Sequence, residues 1–154
     1  MATVYSDVMT DLTQDNPVEV TTTSNLGGRV RIAFATYEAS SLASGDVIEM
    51  FRLPNKARIV NGALSHDALG SSTTLSVGYA AHTNAAGTAV SASAAAYKAA
   101  AASTSAQKVE IAATIALGHG SVLDANQDGV VVTATMGGAA GTGTINVMMM
   151  YVVD

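Results

Sequence analysis

The residues best suited to bind a ligand lie in the segment Asp124-Ala-Asn126-Gln-Asp128-Gly129. Oxygen-bearing side chains at alternate positions, followed by glycine at the sixth, are typical of the first half of a calcium-binding loop. The twelfth position of such a loop supplies a bidentate glutamate, and here it is Thr135. Asp, Asn and Gly are also the residues that tight turns prefer. Asp124, Asn126 and Asp128 are therefore the candidate metal ligands, and a turn leading into a strand is the favoured interpretation.

The remaining reactive side chains form no catalytic pattern. His66, His82 and His119 are separated by apolar segments and lack the close spacing that pre-organises a pair of metal ligands. No serine lies in a G-x-S-x-G motif, and the glycine-rich stretch 137–143 lacks the lysine of a phosphate-binding loop. The chain has no cysteine, which excludes disulfides and thiolate chemistry. We therefore expect no enzymatic activity and no cofactor, with the three histidines in loops.

The composition excludes several classes of partner. The 154 residues carry a net charge of −5, and their seven Lys and Arg are scattered, which argues against nucleic-acid binding. Charged residues make up 12% of the chain, compared with about 25% in ordinary soluble domains. The longest run of large apolar residues, Val147–Val153, is far shorter than the roughly 18 residues of a membrane span. The N-terminus does not resemble a secretory signal, so we expect synthesis in a cytoplasm, no membrane association, and a surface that favours association with other proteins.

Runs of apolar and β-branched residues predict an all-β domain. The stretch Gly45–Gly78 contains three such runs, separated by Pro54-Asn55 and by residues 66–72. Further strands are predicted at Val18–Thr23, Arg29–Thr36, Lys108–Leu117, Val130–Met136 and Thr144–Val153, the last two as a terminal hairpin. About eight strands in one short chain indicate a sandwich or a barrel.

The strand predicted at Arg29–Thr36 alternates strictly. Val30, Ile32 and Phe34 share one face, and Arg29, Arg31 and Ala33 share the other. This pattern is typical of a half-buried strand, with its apolar face turned to the core.

Two segments depart from the strand pattern. In the N-terminal segment, residues 1–17, the spacing of Tyr5, Val8, Met9 and Leu12 predicts one face of a short helix with Ser6 as its cap. Two helical turns are marginal in water, so we expect an arm that needs a surface to lie against. Residues 80–107 are mostly Ala, Ser and Thr; Ala94–Ala102 could form a helix, but a low-complexity excursion from the sandwich is the favoured interpretation.

Three consecutive methionines, Met148-Met149-Met150, occur within the last predicted strand. Because side chains alternate along a strand, both faces of this strand should meet apolar material. A central position in a sheet is the favoured explanation, and a subunit interface is the alternative. Met148 and Met150 thus join the four helix residues as candidate interface residues.

The order of motifs resembles that of small virion proteins of tailed bacteriophages. The resemblance lies in the pattern from Asp46 to Leu64 (DVI, LP, ARIVNG), in LGSSTTLSVG at Leu69–Gly78, and in the final DGVVVTATMGGAAGTGTINVMMMYVVD. It implies a jelly-roll-like antiparallel β-sandwich over residues 18–154, with an Ala/Ser-rich insertion and a short N-terminal arm. It covers most of the chain from Arg29 to Asp154 and none of the first 28 residues.

The resemblance also implies a function. Such a protein would decorate the outside of the capsid as a cement protein, bind subunits of the major capsid protein, and form a homo-oligomer, most simply a trimer. Its place would be the virion surface, after synthesis in the cytoplasm of the host bacterium. A structural component of the tail or head fibre is an alternative. A carbohydrate-binding sandwich is another, although the chain has only two Phe, five Tyr and no Trp to stack on sugars.

Overall fold

A computed structural model describes residues 4–13 and 20–153 of the chain. Its regular elements are α1 (Asp7–Thr13), β1 (Val30–Leu42), β2 (Val47–Leu53), β3 (Arg58–His66), β4 (Thr73–Tyr79), β5 (His82–Thr83), β6 (Ala89–Val90), β7 (Ser93–Ala102), β8 (Gln107–Ile111), a 3₁₀ helix (Ile115–Leu117), β9 (Val130–Gly138) and β10 (Gly141–Val152). The all-β fold class is confirmed.

The long strands form two four-stranded antiparallel sheets. Sheet I has the order β1-β10-β3-β8, and sheet II has the order β2-β9-β4-β7. Apart from β4 and β7, which pair with each other, each successive long strand lies in the opposite sheet. Eight strands that cross between two sheets in this way form a jelly roll. The expected jelly-roll-like antiparallel sandwich is therefore confirmed.

The core lies between the two sheets and is built from alternate residues of their strands. Its largest fully buried side chains are Leu53, Ile59, Leu64, Leu75, Ile111, Met136, Ile145, Met149, Val77, Val130, Val132 and Val147. Burying one such side chain contributes about 1.5–3 kcal/mol, whereas an exposed polar contact contributes about 1 kcal/mol or less. Packing between the sheets is therefore the main source of stability.

The predicted terminal hairpin is wrong, although both of its strands exist. β9 pairs with β2 and β4 in sheet II, whereas β10 pairs with β1 and β3 in sheet I. The glycine-rich connection between them therefore crosses from one sheet to the other. The central position predicted for the methionine strand is confirmed, since β10 lies between β1 and β3.

The Ala-rich segment contains a strand where a loop or a helix was expected. β7 is ten residues long and pairs with β4, with Thr74 opposite Ala102 and Tyr79 opposite Ser93. Alanine prefers a helix in isolation, but a tertiary environment overrides so small a preference. Here the buried ring of Tyr97 anchors the strand to the core, so both interpretations of Ala94–Ala102 are corrected.

Two other strand predictions fail in part. Of Val18–Thr23, the first two residues lie outside the described part of the chain, and residues 20–22 form no strand. A turn follows, because the Thr22 carbonyl accepts the N–H groups of Asn25 at 3.0 Å and Leu26 at 3.1 Å. The strand predicted to reach Leu117 ends at Ile111, since Ala112 adopts a φ of 52° and a 3₁₀ helix follows.

Candidate interface on the outer face of sheet I

The outward face of sheet I carries a cluster of apolar side chains on neighbouring strands. The register places Ile32 opposite Met150 and Phe34 opposite Met148, while Met149 of the same strand points into the core. Val30 precedes them at the start of β1. We call Val30, Ile32, Phe34, Met148 and Met150 the apolar strip.

The strip residues of β1 are largely open to solvent. Val30, Ile32 and Phe34 are 52%, 62% and 63% exposed, and the two methionines are half-buried. The expectation that the apolar face of this strand is turned to the core is therefore wrong. The inward positions of β1 hold the small side chains of Ala33, Ala35 and Ala39, and Ala33 and Ala35 lie opposite Met149 and Val147, which fill the space between the sheets.

A shallow groove continues the strip across sheet I. It has a volume of about 320 Å³ and is lined by Asn61, Gly62, Ala63, Lys108, Val109, Glu110, Met148 and Met150. Gly62 leaves no room for a side chain on the inner face of β3, because a Cβ added there would lie 2.6 Å from the buried Ile111 and 2.7 Å from the Met148 carbonyl oxygen. Unbranched, polarisable methionine side chains beside such a groove can adapt to a partner of irregular shape.

The opposite end of the same face is polar. The backbone N–H of Thr144 donates a 3.0 Å hydrogen bond to the Asp67 carboxylate, and the Thr144 hydroxyl donates a 2.8 Å bond to Glu38. The backbone hydrogen bond from Thr144 holds the pKa of Asp67 below its usual value. Nearby, the side-chain oxygen of Asn146 is buried and has no hydrogen-bond partner among the described residues. The face therefore changes from apolar to polar along the strands.

The remaining candidate interface residues lie on α1 and, for Tyr5, just before it. The predicted helix is confirmed, and the Ser6 hydroxyl accepts the Met9 N–H at 3.4 Å as its cap. Tyr5, Met9 and Leu12 are 61%, 43% and 56% exposed, whereas Val8 is half-buried.

Polar groups connect α1 to the rest of the chain. Asp11 accepts a 2.8 Å hydrogen bond from the Thr21 hydroxyl. A cleft of about 450 Å³ separates Ser6, Asp7 and Val8 of this segment from Ser24, Asn25 and Arg58. The helix is thus held beside the 23–27 turn with most of its apolar side chains exposed.

The three candidate metal ligands lie in a turn that leads into β9. The Asn126 side-chain oxygen accepts the Asp128 N–H at 2.9 Å, and its amide donates to the Asp128 carboxylate at 3.1 Å. Asp124 accepts the Ala85 N–H at 3.2 Å. Over residues 4–13 and 20–153, no cluster of three His, Cys, Asp or Glu side chains could hold a metal ion. These groups fasten the 80–90 segment and the turn before β9.

The histidines are only partly where they were expected. His119 is exposed in a turn, but His66 ends β3 and is buried, with its Nδ1 2.7 Å from the Asp67 carbonyl oxygen. His82 lies in β5 and packs edge-on against Tyr79. The loop assignment is therefore wrong for two of the three.

Solved structures share this fold along most of the chain. A chain of the cyanophage Pam1 capsid matches with a TM-score of 0.62 at 18% identity, over 92% of this chain and 98% of that one. A chain of the Ralstonia phage GP4 capsid matches at 0.62 and 24%, over 82% and 86%. One from the capsid of Helicobacter pylori bacteriophage KHP30 matches at 0.53 and 16%, over 80% and 87%. The chain has the fold of phage capsid chains. The resemblance noted in the sequence is thus confirmed for the fold.

No family model matches the sequence, and the search of curated proteins found no match either. Within the described residues, no helix of this jelly roll is long and apolar enough to cross a membrane.

Sequence reasoning missed three of the five residues of the strip. Met148 and Met150 were identified, because a run of three methionines in a strand is conspicuous. Alternation places Ile32 and Phe34 on one face, but that face was predicted to point into the core, whereas in the structure it is exposed. The signal that could have placed them outside was the small volume of the other face, where alanines follow one another at alternate positions.

Proposed function

We propose that this protein is a non-enzymatic structural protein of a phage virion. It decorates and stabilises the outside of the capsid by binding subunits of the major capsid protein, and it does so as a homotrimer. The single observation that carries this proposal is the fold shared with the Pam1 capsid chain, which extends over nearly the full length of both chains. Fold alone does not specify function, so the surface must supply the second argument.

The surface of the protein supports a role in binding other proteins and not a role in catalysis. Apolar side chains that are more than half exposed lie side by side on sheet I, and contiguous exposed apolar patches mark interaction sites. The polar side chains that could have formed an active site are engaged in turns instead, as Asn126 and Asp128 illustrate. A part that binds many copies of a neighbour needs adhesive area more than a pocket.

Particles that lack this protein provide the test. Purified protein should co-sediment with such particles to a saturating ratio, and electron microscopy should show the added density outside the head. Treated particles should also survive a higher temperature before they release their DNA. Density on the tail or a fibre, with none on the head, would overturn the capsid assignment. A glycan array serves as the control, because sugar binding without particle binding would favour a carbohydrate-binding module.

A further inference from the structure

The strands of this sandwich terminate at two opposite ends of the molecule. Val30, the first residue of β1, and Arg58, the first residue of β3, both lie opposite Val152 at the end of β10. The turn 54–57 joins β2 to β3, so the end of β2 and the facing start of β9 lie at this end as well. We call it the Val30 end, and we call the opposite one, where β1 finishes, the Leu42 end.

Each end is formed by the segments that connect the strands there. The Val30 end consists of residues 4–13 and of the connections 20–29, 54–57, 80–92 and 112–129. The Leu42 end consists of the connections 43–46, 67–72, 103–106 and 139–140. The connection 20–29 belongs to the first set because Gly28 packs against Val152 without room for a Cβ, and α1 lies beside the same connection.

Exposed large apolar side chains distinguish the two ends. The Val30 end carries Val4, Tyr5, Met9, Leu12, Val20, Leu26, Ile115 and Val122. The connections of the Leu42 end contain a single large apolar residue, Leu69, and it is 2% exposed. Val47, at the start of β2, is an exposed exception beside them. Val30 joins the first set to the apolar strip, and a continuous exposed apolar surface marks an interaction site.

The cationic side chains are concentrated at the same end. Five of the seven Lys and Arg lie in its connections or within two residues of a strand terminus there, namely Arg29, Arg31, Arg52, Lys56 and Arg58. The connections of the Leu42 end carry Asp46 and Asp67, no Lys or Arg, and otherwise mostly Ser, Thr, Ala and Gly. Interfaces are enriched in Arg, Met and aromatic residues and depleted in Asp, Ser and Ala. The Val30 end therefore has the composition of an interface, and the Leu42 end has that of a hydrated surface.

Most carboxylates at the Val30 end are already engaged within the chain. Asp11 accepts the Thr21 hydroxyl, Asp124 accepts the Ala85 N–H, and Asp128 accepts the Asn126 amide. The arginines there have neutral partners instead, so their positive charge is not compensated by these contacts.

Two clefts at the Val30 end each hold an arginine that its own chain fixes in position. Arg52 lines a cleft of about 410 Å³ and donates a 2.8 Å hydrogen bond to the Asp128 carbonyl oxygen. Arg58 lines the cleft of about 450 Å³ beside α1 and donates a 2.7 Å bond to the Gly120 carbonyl oxygen. A guanidinium has five N–H donors, so each arginine keeps donors for a carboxylate of a partner. Because both are already held in place, binding a partner costs them less conformational entropy.

We propose, on the basis of the capsid binding proposed above, that the Val30 end is the surface by which this protein binds the capsid shell. The Leu42 end then points away from the particle. The matching surface of the shell is apolar and carries carboxylates that reach Arg52 and Arg58.

A second copy of this chain does not supply such a surface. Its own Val30 end is apolar but would place arginines against arginines, and like charges opposed across an interface are unfavourable. Its Leu42 end has carboxylates but no exposed apolar connection. Its apolar strip has no carboxylate, and in the adjoining groove Lys108 offsets Glu110. Apolar area and negative charge together therefore select a different protein as the partner.

This orientation is compatible with the proposed homotrimer. In a cyclic assembly whose symmetry axis runs along the strands, the Val30 ends of all copies face the same side. The copies then engage the shell simultaneously, which strengthens attachment without any new contact. The flank of sheet I stays free to contact neighbouring copies.

Arg52→Gln tests the arginine contact. Arg52 is exposed, so we expect the circular dichroism spectrum to stay unchanged and the affinity for particles to fall about tenfold, as expected for the loss of one charge-assisted hydrogen bond. The matched control is Lys108→Gln, which removes the same charge from an exposed position of β8 opposite Ser65, toward the Leu42 end. Its affinity should stay nearly unchanged. Equal losses in the two variants would overturn the role of Arg52.

Single cysteines report the orientation, because the natural chain has none. Leu26→Cys lies at the Val30 end, Ser105→Cys at the Leu42 end, and Glu49→Cys on β2 between them, and all three positions are exposed. Each full-length variant is labelled briefly with a maleimide-linked polyethylene glycol, both free and bound to particles that lack the protein. We expect binding to abolish the labelling of Leu26→Cys and to leave that of the other two variants unchanged.

The other outcomes separate this orientation from the broader proposal. Protection of Ser105→Cys or Glu49→Cys instead, or equal labelling of all three on the particles, would overturn the orientation and leave the capsid assignment standing. Protection of Leu26→Cys in the free protein, rising with its concentration, would assign the Val30 end to self-association. A natural chain that does not sediment with the particles overturns the capsid assignment and the orientation together.

Discussion

Single glycine positions decide whether the strands of this sandwich can approach one another. Gly78 of β4 lies beneath the backbone at the start of β7, where an added Cβ would sit 1.8 Å from the Ser93 carbonyl oxygen and 2.7 Å from the carbonyl carbon of Ala94. Both obstacles are backbone atoms, which cannot rotate away as a side chain can. Gly78 therefore fixes how closely β7 can pack.

We predict that Gly78→Ala destabilises the protein severely. Overpacking against backbone costs about 1–3 kcal/mol or more, because β4 and β7 must separate. Gly87→Ala is the matched control, since Gly87 has a φ of +82° but nothing within 4 Å of the added methyl group. That control should lose only about 1 kcal/mol from backbone strain. Chemical denaturation measures both losses, and equal losses would show that β7 does not cross over Gly78.

The Asp67 carboxylate makes the stability of the fold depend on pH in the acid range. Its pKa is below the usual value, mainly because of the Thr144 backbone hydrogen bond, so the folded state binds a proton less readily than the unfolded state. The stability that it contributes is therefore present above about pH 4 and is lost as the pH falls through the folded-state pKa. We predict that Asp67→Asn flattens the fall in melting temperature between about pH 5 and pH 2. Parallel slopes for the two proteins would contradict this prediction.

Among the strands, β7 is the one that could not be predicted from its own sequence. A run of alanines has a helical preference and no apolar periodicity, so neither its strand state nor its partner can be deduced from local pattern. The evidence for the strand is non-local, namely its pairing with β4 and the burial of Tyr97, which is 3% exposed. By contrast, β3, β4, β9 and β10 are predicted correctly as strands, because their own residues carry the signal.

Tyr97 is therefore the anchor of β7, and its ring matters more than its hydroxyl. The hydroxyl is buried without a hydrogen-bond partner among the described residues, and burial raises the pKa of Tyr97. We predict that Tyr97→Phe keeps or raises the free energy of unfolding by about 1 kcal/mol, because it removes a poorly satisfied polar group. Tyr97→Ala should lose about 3–5 kcal/mol. Urea titrations measure both, and a loss of more than about 1 kcal/mol in Tyr97→Phe would show that the hydroxyl has a partner.

The candidate site shows the same division between local and non-local information. Alternation in β1 groups Ile32 with Phe34 from sequence alone, but it does not say which face is buried. That choice depends on how much volume Met149 and Val147 of β10 already occupy between the sheets. The local sequence thus shows which residues share a face. Whether that face is buried or exposed depends on how the two sheets pack.

The outer faces of the two sheets differ in the residues that they carry. At the corresponding positions of sheet II, β4 and β9 hold small hydroxyl-bearing residues, and two of these, Ser76 and Thr133, are buried. Sheet I presents the apolar strip. The strip therefore makes sheet I the face on which we expect association with other proteins.

Deleting the N-terminal segment shows whether it contributes to the stability of the domain or to its binding to other proteins. We predict that deleting residues 1–16 leaves the free energy of unfolding nearly unchanged when it is measured at a dilution where the full chain is monomeric. In the described part of this segment, α1 has no buried side chain. The Thr21 to Asp11 hydrogen bond contributes about 1 kcal/mol at most in so open a setting, and Tyr5, Met9 and Leu12 are largely exposed.

The same deletion should weaken assembly much more than it weakens folding. The segment is expected to be an arm that lies against a neighbour, so its deletion removes one contact from every copy in the assembly. Attachment to particles then weakens further, because copies that bind one by one no longer share the benefit of simultaneous engagement. Co-sedimentation with particles and light scattering, run on the truncated and full-length proteins, measure the two losses. A truncated protein that unfolds or aggregates at the same dilution would place the segment in the core instead, since loss of binding would then follow from loss of the fold.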